Sequence, residues 1–398
     1  MSIPPVPATG KNYHLKWVIF ALAIGSFCIG TTEFLAMGLI QEIAQGLNVS
    51  ISSAGHFISA YAIGVTIGAP IIAILAAKVP RKKMLLGLML FYALANLATT
   101  WVNSPETMLL SRFIAGLPHG AYFGLAALVV ADLAGPKKRS SAIAQMMMGL
   151  TIANVIGVPL ATWLGQKFGW QTGFQLCSVI AVLTLVAIAV FVPVTKTPQH
   201  ASIRNELSGL KNINMWLTLS VGAIGFGGMF SVYSYASPIL TNYTHADIKH
   251  VPLVLAIFGI GMVLGGLISG WLADKNLNKT IVGVLIGSAC AFVIAYFCMD
   301  HLYSAFIAFF LIGFTVIGLG GPIQTRLIDV AGEAPNLAAS LNHSAFNIAN
   351  ALGAFVAGWA IDHQLGWLSP IWIGFILSLI GLLIFWIAYQ YDLKTRQI

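Results

Sequence analysis

The sequence predicts an all-α membrane protein in which twelve transmembrane helices form two pseudo-symmetric six-helix bundles, with both termini in the cytoplasm. Three observations predict this fold: an apolar composition, twelve apolar runs of membrane-spanning length, and basic residues gathered on alternate connections. Of the 398 residues, 58% are apolar and 8% are charged, whereas soluble domains average about 45–50% and about 25%. So few charges cannot cover a surface in water, which argues against a soluble enzyme, a nucleic-acid-binding protein and a disordered chain.

Each of the twelve runs has roughly the 20 residues that a helix needs to cross the hydrocarbon of a bilayer. They are Trp17–Ile40, Ser53–Ala77, Met84–Trp101, Thr107–Leu133, Ala142–Leu164, Thr172–Val192, Met215–Leu240, Pro252–Ala273, Thr280–Met299, Tyr303–Gln324, Leu337–Ile361 and Trp367–Tyr389. The first run is too long for a cleavable signal peptide and leads directly into the second. The four cysteines all fall within these runs without paired spacing, so we expect neither a disulfide framework nor a metal site.

The basic residues predict the orientation of the chain. If the N-terminus is cytoplasmic, every Lys and Arg lies in a cytoplasmic segment of the chain except Lys167, Lys249 and Arg112. The reverse orientation would violate the positive-inside rule. The net charge of +8 is therefore explained by membrane topology rather than by nucleic-acid binding.

The chain divides into three parts at a polar stretch after the sixth run. We expect an N-terminal bundle over residues 1–194, a cytoplasmic linker over 195–214 and a C-terminal bundle over 215–398. A constant shift of 197 positions aligns glycines of the two halves, for example Gly64 with Gly261 and Gly116 with Gly313. This internal repeat places small residues where helices approach closely in lipid.

Short motifs in the loops and helices resemble those of the major facilitator superfamily. Its loop signature, Gly-x-Leu-Ala-Asp-Arg-x-Gly-Arg-Arg, is similar to Gly270–Lys275, whereas the copy in the first half has Ala77 at the acidic position. In that family the acidic residue caps a helix of the opposite half and latches the outward-open state. The resemblance therefore implies conformational roles for four loop residues, which are Lys78, Arg81, Asp274 and Lys275.

Further motifs resemble the twelve-span drug/proton antiporter branch, and within it most closely the arabinose-efflux-permease and chloramphenicol-exporter group. They are Thr31–Phe34, Arg112–Gly116, Gly120–Gly124 and Asn154–Pro159, the last with Val158 between the glycine and the proline. The resemblance implies a monomeric transporter of the cytoplasmic (inner) membrane that works by alternating access. It also implies a central cavity between the halves.

Glu33 and Arg112 are the two charged side chains that the sequence places clearly within spans. Burying a charge in hydrocarbon costs at least about 2.5 kcal/mol, so each is a functional candidate. Both lie roughly 10 Å below the outer end of their span at 1.5 Å per residue. We expect a Glu33–Arg112 contact in which Glu33 carries a proton and Arg112 changes the proton affinity of Glu33. The alternative is a fixed structural ion pair.

Other polar residues within the spans are candidates for a proton relay or for the substrate cavity. His119 shares a helical face with Arg112 and could relay protons, or could satisfy a carbonyl freed by Pro118. Helical spacing predicts that Tyr233 points away from its polar neighbours in the seventh span. The cavity candidates, which could instead join helices, are Asn154, Ser231, Ser234, Tyr235, His343, Asn347 and Asn350.

These features predict a secondary active transporter that exports a drug, sugar or related metabolite in exchange for protons. The alternatives are a proton-coupled symporter importing a sugar or nucleoside, and a non-transporting sensor on a transporter scaffold. An enzyme is not expected, because no catalytic pair lies at matching depth. No phosphate-binding Gly-x-x-x-x-Gly-Lys motif occurs, so the expected energy source is a proton gradient with no cofactor, and the expected partners are substrate, protons and lipid.

Overall fold

The computed structural model describes residues 14–76, 79–135, 139–194, 211–330 and 335–395. The described part before residue 195 is called the N-half and the part after residue 210 the C-half. The N-half helices are α1 Leu15–Gly38, α2 Ile40–Gly46, α3 Ile51–Ala76, α4 Arg81–Thr99, α5 Pro105–Ala134, α6 Arg139–Ile152, α7 Val158–Phe168 and α8 Gln171–Phe191. The C-half helices are α9 Ile213–Gly225, α10 Gly227–Ser234, α11 Ala236–Pro238, α12 Val251–Lys275, α13 Leu277–Cys298, α14 Leu302–Val316, α15 Gly320–Val330, α16 Pro335–Asp362 and α17 Ser369–Thr395.

The predicted all-helical membrane protein is confirmed. Within the described ranges, eleven helical segments are long and apolar enough to cross a membrane. The remaining predicted run, Met84–Trp101, coincides with α4, a 19-residue helix that begins with three basic residues. The predicted linker over 195–214 falls mostly outside the described residues, and the C-half begins slightly earlier than expected because Asn212 caps α9 by accepting a hydrogen bond from the backbone of Met215.

The outer surface of the helices is apolar, as a bilayer requires. Large apolar side chains are strongly exposed along the helices, among them Val190, Leu267 and Phe297. Aromatic side chains are exposed near helix ends, including Trp101 and Tyr303, where amphipathic rings favour the membrane interface. A soluble protein would not expose so much apolar surface, so this surface faces lipid.

Three of the long helices are interrupted just before a proline. A π-turn over Ala153–Gly157 precedes Pro159, and a 3-10 turn over Ile317–Leu319 precedes Pro322. The seventh predicted run is broken at Tyr235, shortly before Pro238; a separate break at Phe226 is distant from any proline. Proline donates no backbone hydrogen bond and its ring clashes with the preceding turn, so these irregular turns relieve the clash.

Equivalent glycines in the two halves make equivalent contacts. A Cβ atom at Gly64 of α3 would overlap the carbonyl oxygen of Phe113 on α5, and one at Gly261 of α12 would overlap that of Phe310 on α14. Both the glycines and their partners are 197 positions apart. The same shift relates the α3–α5 and α12–α14 crossings, so the repeat seen in the sequence corresponds to a repeated helix packing.

The two halves meet most closely at one end of the molecule. The end where Arg81, Lys275 and Lys394 lie is called the basic end, and the other is called the opposite end. At the opposite end Gln41 donates to Thr241 (2.6 Å) and Gln166 donates to the carbonyl of Ile248 (3.4 Å), each bond joining the two halves. Helix α3 also packs along α16, where Ser59 donates to the carbonyl of Ala351 (3.1 Å). The opposite end is therefore closed.

Candidate functional site

Glu33 lies near the end of α1, at the interface between the two halves. It is 8% exposed, and its carboxyl adjoins the side chain of Asn350 on α16. Arg112, Tyr61 and Tyr233 lie within electrostatic range of it. Among the described residues Glu33 forms no salt bridge, so its carboxyl is buried without an ionic partner.

Arg112 is fully buried on α5 beside the same part of α1. Its guanidinium lies over the ring of Tyr61 (4.3 Å to the centroid) and against that of Phe174 (5.1 Å). One nitrogen donates to the carbonyl of Thr32 (3.4 Å), while Nε and Nη1 have no hydrogen-bond acceptor among the described residues. The structure thus brings Arg112 to the residue next to Glu33, but the expected direct ion pair is not formed, because the aromatic rings hold the guanidinium.

The Tyr61 hydroxyl, whose ring lies under the Arg112 guanidinium, is hydrogen-bonded to two further buried side chains of the N-half. The Tyr61 hydroxyl lies 2.9 Å from the Tyr92 hydroxyl and 3.0 Å from Nδ1 of His119. His119 therefore bonds a tyrosine from another helix rather than the carbonyl freed by Pro118. Across the interface, the ring of His343 stacks on that of Phe123 (5.6 Å, 8° between planes) and lies within electrostatic range of His119.

Unpartnered polar atoms surround Glu33 on the side of the C-half. Both amide atoms of Asn350 and the hydroxyl of Tyr233 are buried and make no hydrogen bond of standard geometry to a described residue, although the Asn350 amide adjoins the Glu33 carboxyl. Asn347 donates to the carbonyl of His343 (3.0 Å), and its own amide oxygen has no donor. These atoms have lost water without gaining a protein partner, which is costly unless a ligand or bound water satisfies them.

Tyr233 points away from Ser231 and Tyr235, as the helical spacing predicts, and toward α1 and α12. Its ring packs edge-on against Phe34 (5.1 Å) and Phe258 (4.7 Å), next to Glu33. Tyr233 and Ser231 both lie in the regular helix α10, so the helical period separates their directions, but it does not show which side meets α1.

The other cavity candidates lie at helix contacts. Ser231 donates to the carbonyls of Gly228 and Pro370 (both 2.8 Å), and Tyr235 donates to that of Ala354 (3.0 Å). Asn154 donates to the carbonyl of Leu150 within its own helix (3.1 Å) and lies in the π-turn. Ser234 is fully buried, and its hydroxyl has no hydrogen-bond partner within the described ranges.

The loop-motif residues lie at the basic end. Arg81 forms a salt bridge with Asp132, which joins α4 to α5 within the N-half. Lys275 lies over the ring of Trp271 (3.4 Å), and Asp274 is exposed without a salt bridge in the described part of the chain. Lys78 lies outside the described residues. In this structure, in which the opposite end is closed, neither Arg81 nor Lys275 makes a described contact across the interface between the halves.

A third buried charge was missed by the sequence, which placed Arg326 in a cytoplasmic connection. Arg326 is 3% exposed on α15, where it donates to Asn278 (3.0 Å) and lies 3.9 Å from the carboxylate of Asp392. The sequence signal for the burial of Arg326 was its position shortly after Pro322, within an apolar helical segment. Across the described ranges, no three His, Cys, Asp or Glu side chains are grouped so as to hold a metal ion.

A long apolar helical chain with ionisable and unpartnered polar groups at the interface of its halves has the architecture of a membrane transporter. A family model described as Major Facilitator Superfamily matches residues 22–336. The chain is 37% identical to the inner membrane transport protein YdhP of Escherichia coli (strain K12), over 96% of this chain and 98% of the relative. The chain therefore belongs to the Major Facilitator Superfamily, and it is a multi-pass protein of the inner membrane.

Two further comparisons bear on the branch and on the fold. A chloramphenicol resistance protein of Streptomyces lividans is 28% identical over 92% of this chain and 94% of its own length. The solved structure of a mutant of the nucleoside transporter NupG superposes with a TM-score of 0.75 at 14% identity, covering 94% of this chain and all of that one. The resemblance to the superfamily is thus confirmed, with an efflux-type protein among the relatives.

Proposed function

We propose that the protein is a secondary active transporter that exports a small molecule in exchange for protons by alternating access. The observation that carries this proposal is the Glu33 carboxyl, buried at the interface of the halves without an ionic partner among the described residues. A buried carboxylate without such a partner is costly, and protonation removes that cost. A group of this kind can bind a proton in one conformation and release it in another.

In this mechanism Arg112 and the C-half polar groups control the proton on Glu33. Arg112 is held by Tyr61 and Phe174 close to Glu33 but not against it, so a small helix movement changes its electrostatic effect on the carboxyl. The Asn350 amide adjoins the same carboxyl from the other half. Separation of the halves would remove Asn350 and admit water, which favours loss of the proton. His119 and His343 extend this path toward the basic end.

The proposed topology has twelve spans in two six-helix bundles, with α4 as the third span. Its three leading basic residues would lie at the cytoplasmic interface, together with Lys275 and Lys394. The basic end then faces the cytoplasm, both termini are cytoplasmic, and the closed opposite end faces outward. The bundles span residues 1–194 and 215–398, joined by the linker, and the transporter acts as a monomer.

The substrate site lies beside Glu33, where aromatic faces and uncharged polar groups meet. Phe34, Phe258 and Tyr233 offer ring surface, and Asn350 and Asn347 offer amide atoms without partners. This chemistry suits a small organic molecule with an apolar face and several hydrogen-bonding groups, such as a drug, a sugar or a related metabolite. A relative named for chloramphenicol resistance supports efflux of this class.

The proposal is tested in inside-out membrane vesicles from an efflux-deficient bacterium that produces the protein. Accumulation of chloramphenicol, a labelled sugar and a nucleoside is measured with the vesicle interior made acidic, and again after the gradient is collapsed. Exchange with protons predicts accumulation only with the acidic interior. Accumulation driven by the opposite gradient would replace the exporter with a proton-coupled importer, and no flux of any compound under either gradient would favour a non-transporting sensor.

A further inference from the structure

We propose that Glu42 is a second proton-binding carboxyl of the transport cycle, which must be protonated for the opposite end of the molecule to close. The proposal rests on the proposed function, since it assigns a role in the exchange of protons. It concerns a residue of α2, beyond the end of the first membrane-spanning helix, at the seam between the halves.

Glu42 lies between the two hydrogen bonds that close the seam. Gln41, the preceding residue, donates to Thr241 of the C-half (2.6 Å). Gln166 of α7, whose amide adjoins the Glu42 carboxyl, donates to the carbonyl of Ile248 in the C-half (3.4 Å). Opening this end must break both bonds, and it would bring water to the carboxyl between them.

In the closed form both carboxyl oxygens of Glu42 are inaccessible to water, and neither makes a hydrogen bond of standard geometry to any residue that the structure describes. Burial raises the pKa of Glu42 above the ordinary value, while its own backbone N–H and the Gln166 amide lower it by smaller amounts. An ionised carboxylate would leave several lone pairs unsatisfied at this place, whereas the neutral acid removes the charge. The closed seam therefore favours the protonated form.

No charged group of the neighbouring described elements compensates Glu42. The titratable groups nearest this end are engaged elsewhere: His56 of α3 stacks on Phe355, Lys167 of α7 lies over Trp163 and Phe168, Lys249 pairs with Asp247, and Nδ1 of His250 lies 3.1 Å from the Asp247 carbonyl oxygen. Glu33 is the other acid on this part of the chain and lies nine residues earlier, within the span.

The sign of the coupling follows from the difference between the two forms. Glu42 has a raised pKa when the seam is closed and the ordinary pKa of about 4.3 when it is hydrated, so the closed form binds more protons. Acid on this side therefore closes the seam, and a pH above the raised pKa opens it. At a pH below the ordinary pKa, the stabilisation of the closed form by protonation of Glu42 is complete. With this end facing outward, a proton taken from outside would close the outer gate and direct the site inward, as exchange requires.

The test measures the opening of the seam directly. Spin labels are placed at Gln45→Cys and Asn242→Cys, two exposed positions that line one pocket of about 380 Å³ between α2 and the C-half. Cys290 and Cys298 are replaced by Ala, and the buried Cys28 and Cys177 are retained. Distance distributions are recorded in lipid nanodiscs from pH 5 to pH 8 for the otherwise unmodified protein, for Glu42→Gln and for Glu106→Gln, whose carboxyl is exposed on α5.

We expect the long-distance population to grow with pH in the unmodified protein and in Glu106→Gln. In Glu42→Gln it should stay small and lose its rise with pH, because the uncharged amide cannot ionise. The same pH response in Glu42→Gln, or no response in the unmodified protein, would overturn the proposal. The vesicle assay tests the transport function independently. If no proton-driven flux is found but the spin-label distances still depend on pH through Glu42, the transport function is overturned and the role of Glu42 in closing the seam is retained.

Discussion

Replacing Arg112 by Met tests whether this buried arginine serves coupling or structure. Met fills much of the same space without the charge. In the structure the guanidinium is fully buried, makes one long hydrogen bond and lies against two rings. A desolvated cation–π contact is worth about 2 kcal/mol and a hydrogen bond from a charged group about 2 kcal/mol. An unpaired buried ion costs several kcal/mol, so these terms nearly cancel.

We therefore expect Arg112→Met to change the unfolding temperature in detergent by no more than about 3 °C, the shift that corresponds to roughly 1 kcal/mol. Proton-driven flux should fall at least about tenfold, which corresponds to about 1.4 kcal/mol of lost coupling. Arg112→Lys, which keeps the charge but not the planar stacking, is the matched control and should retain part of the flux. A large loss of thermal stability in Arg112→Met with normal flux in the surviving protein would refute the reasoning and make Arg112 a structural anchor.

Three further substitutions test the site and the packing. Tyr233→Phe removes a buried hydroxyl that has no hydrogen-bond partner in the described part of the chain, so the unfolding temperature should be unchanged. Substrate binding, measured by ligand-dependent thermal stabilisation, should weaken about tenfold. Unchanged binding would remove Tyr233 from the site. Gly265→Val should abolish folded, monodisperse protein, because a Cβ there would overlap the carbonyl oxygen of Phe314. A Cβ at Gly270 meets open space, so Gly270→Ala should cost no more than about 1 kcal/mol of stability, measured by the unfolding temperature. Equal stability of the two variants would contradict the packing.

The membrane-spanning helices could be predicted because they depend on a property that the sequence carries directly. A run of about 20 apolar residues identifies a span whatever it packs against, and Gly64 and Gly261 revealed a repeat because close helix contact excludes a side chain. Glu33 and Arg112 were found for a similar reason, since a charge within an apolar run is costly wherever the helix lies.

The partners of those charges could not be predicted, because they come from helices far apart in the chain. Helical spacing cannot show that Tyr61 and Phe174 enclose Arg112, or that Asn350 of the other half adjoins Glu33. Helical spacing separated Tyr233 from Ser231, but it could not show that the side of Tyr233 is the one that meets Phe34 of α1. Arg326 was assigned to a connection because the apolar run ends at Gln324, and its partners Asn278 and Asp392 come from other helices.

Glu33→Gln in proteoliposomes tests the central claim most directly, because it removes a titratable proton with almost no change in shape. Exchange of labelled for unlabelled substrate needs only alternating access, whereas accumulation against a gradient needs the proton. The account predicts near-normal exchange and loss of pH-driven accumulation in Glu33→Gln, with both activities normal in the exposed control Glu106→Gln. Undiminished pH-driven accumulation in Glu33→Gln would contradict the account, because the proton would then be carried elsewhere.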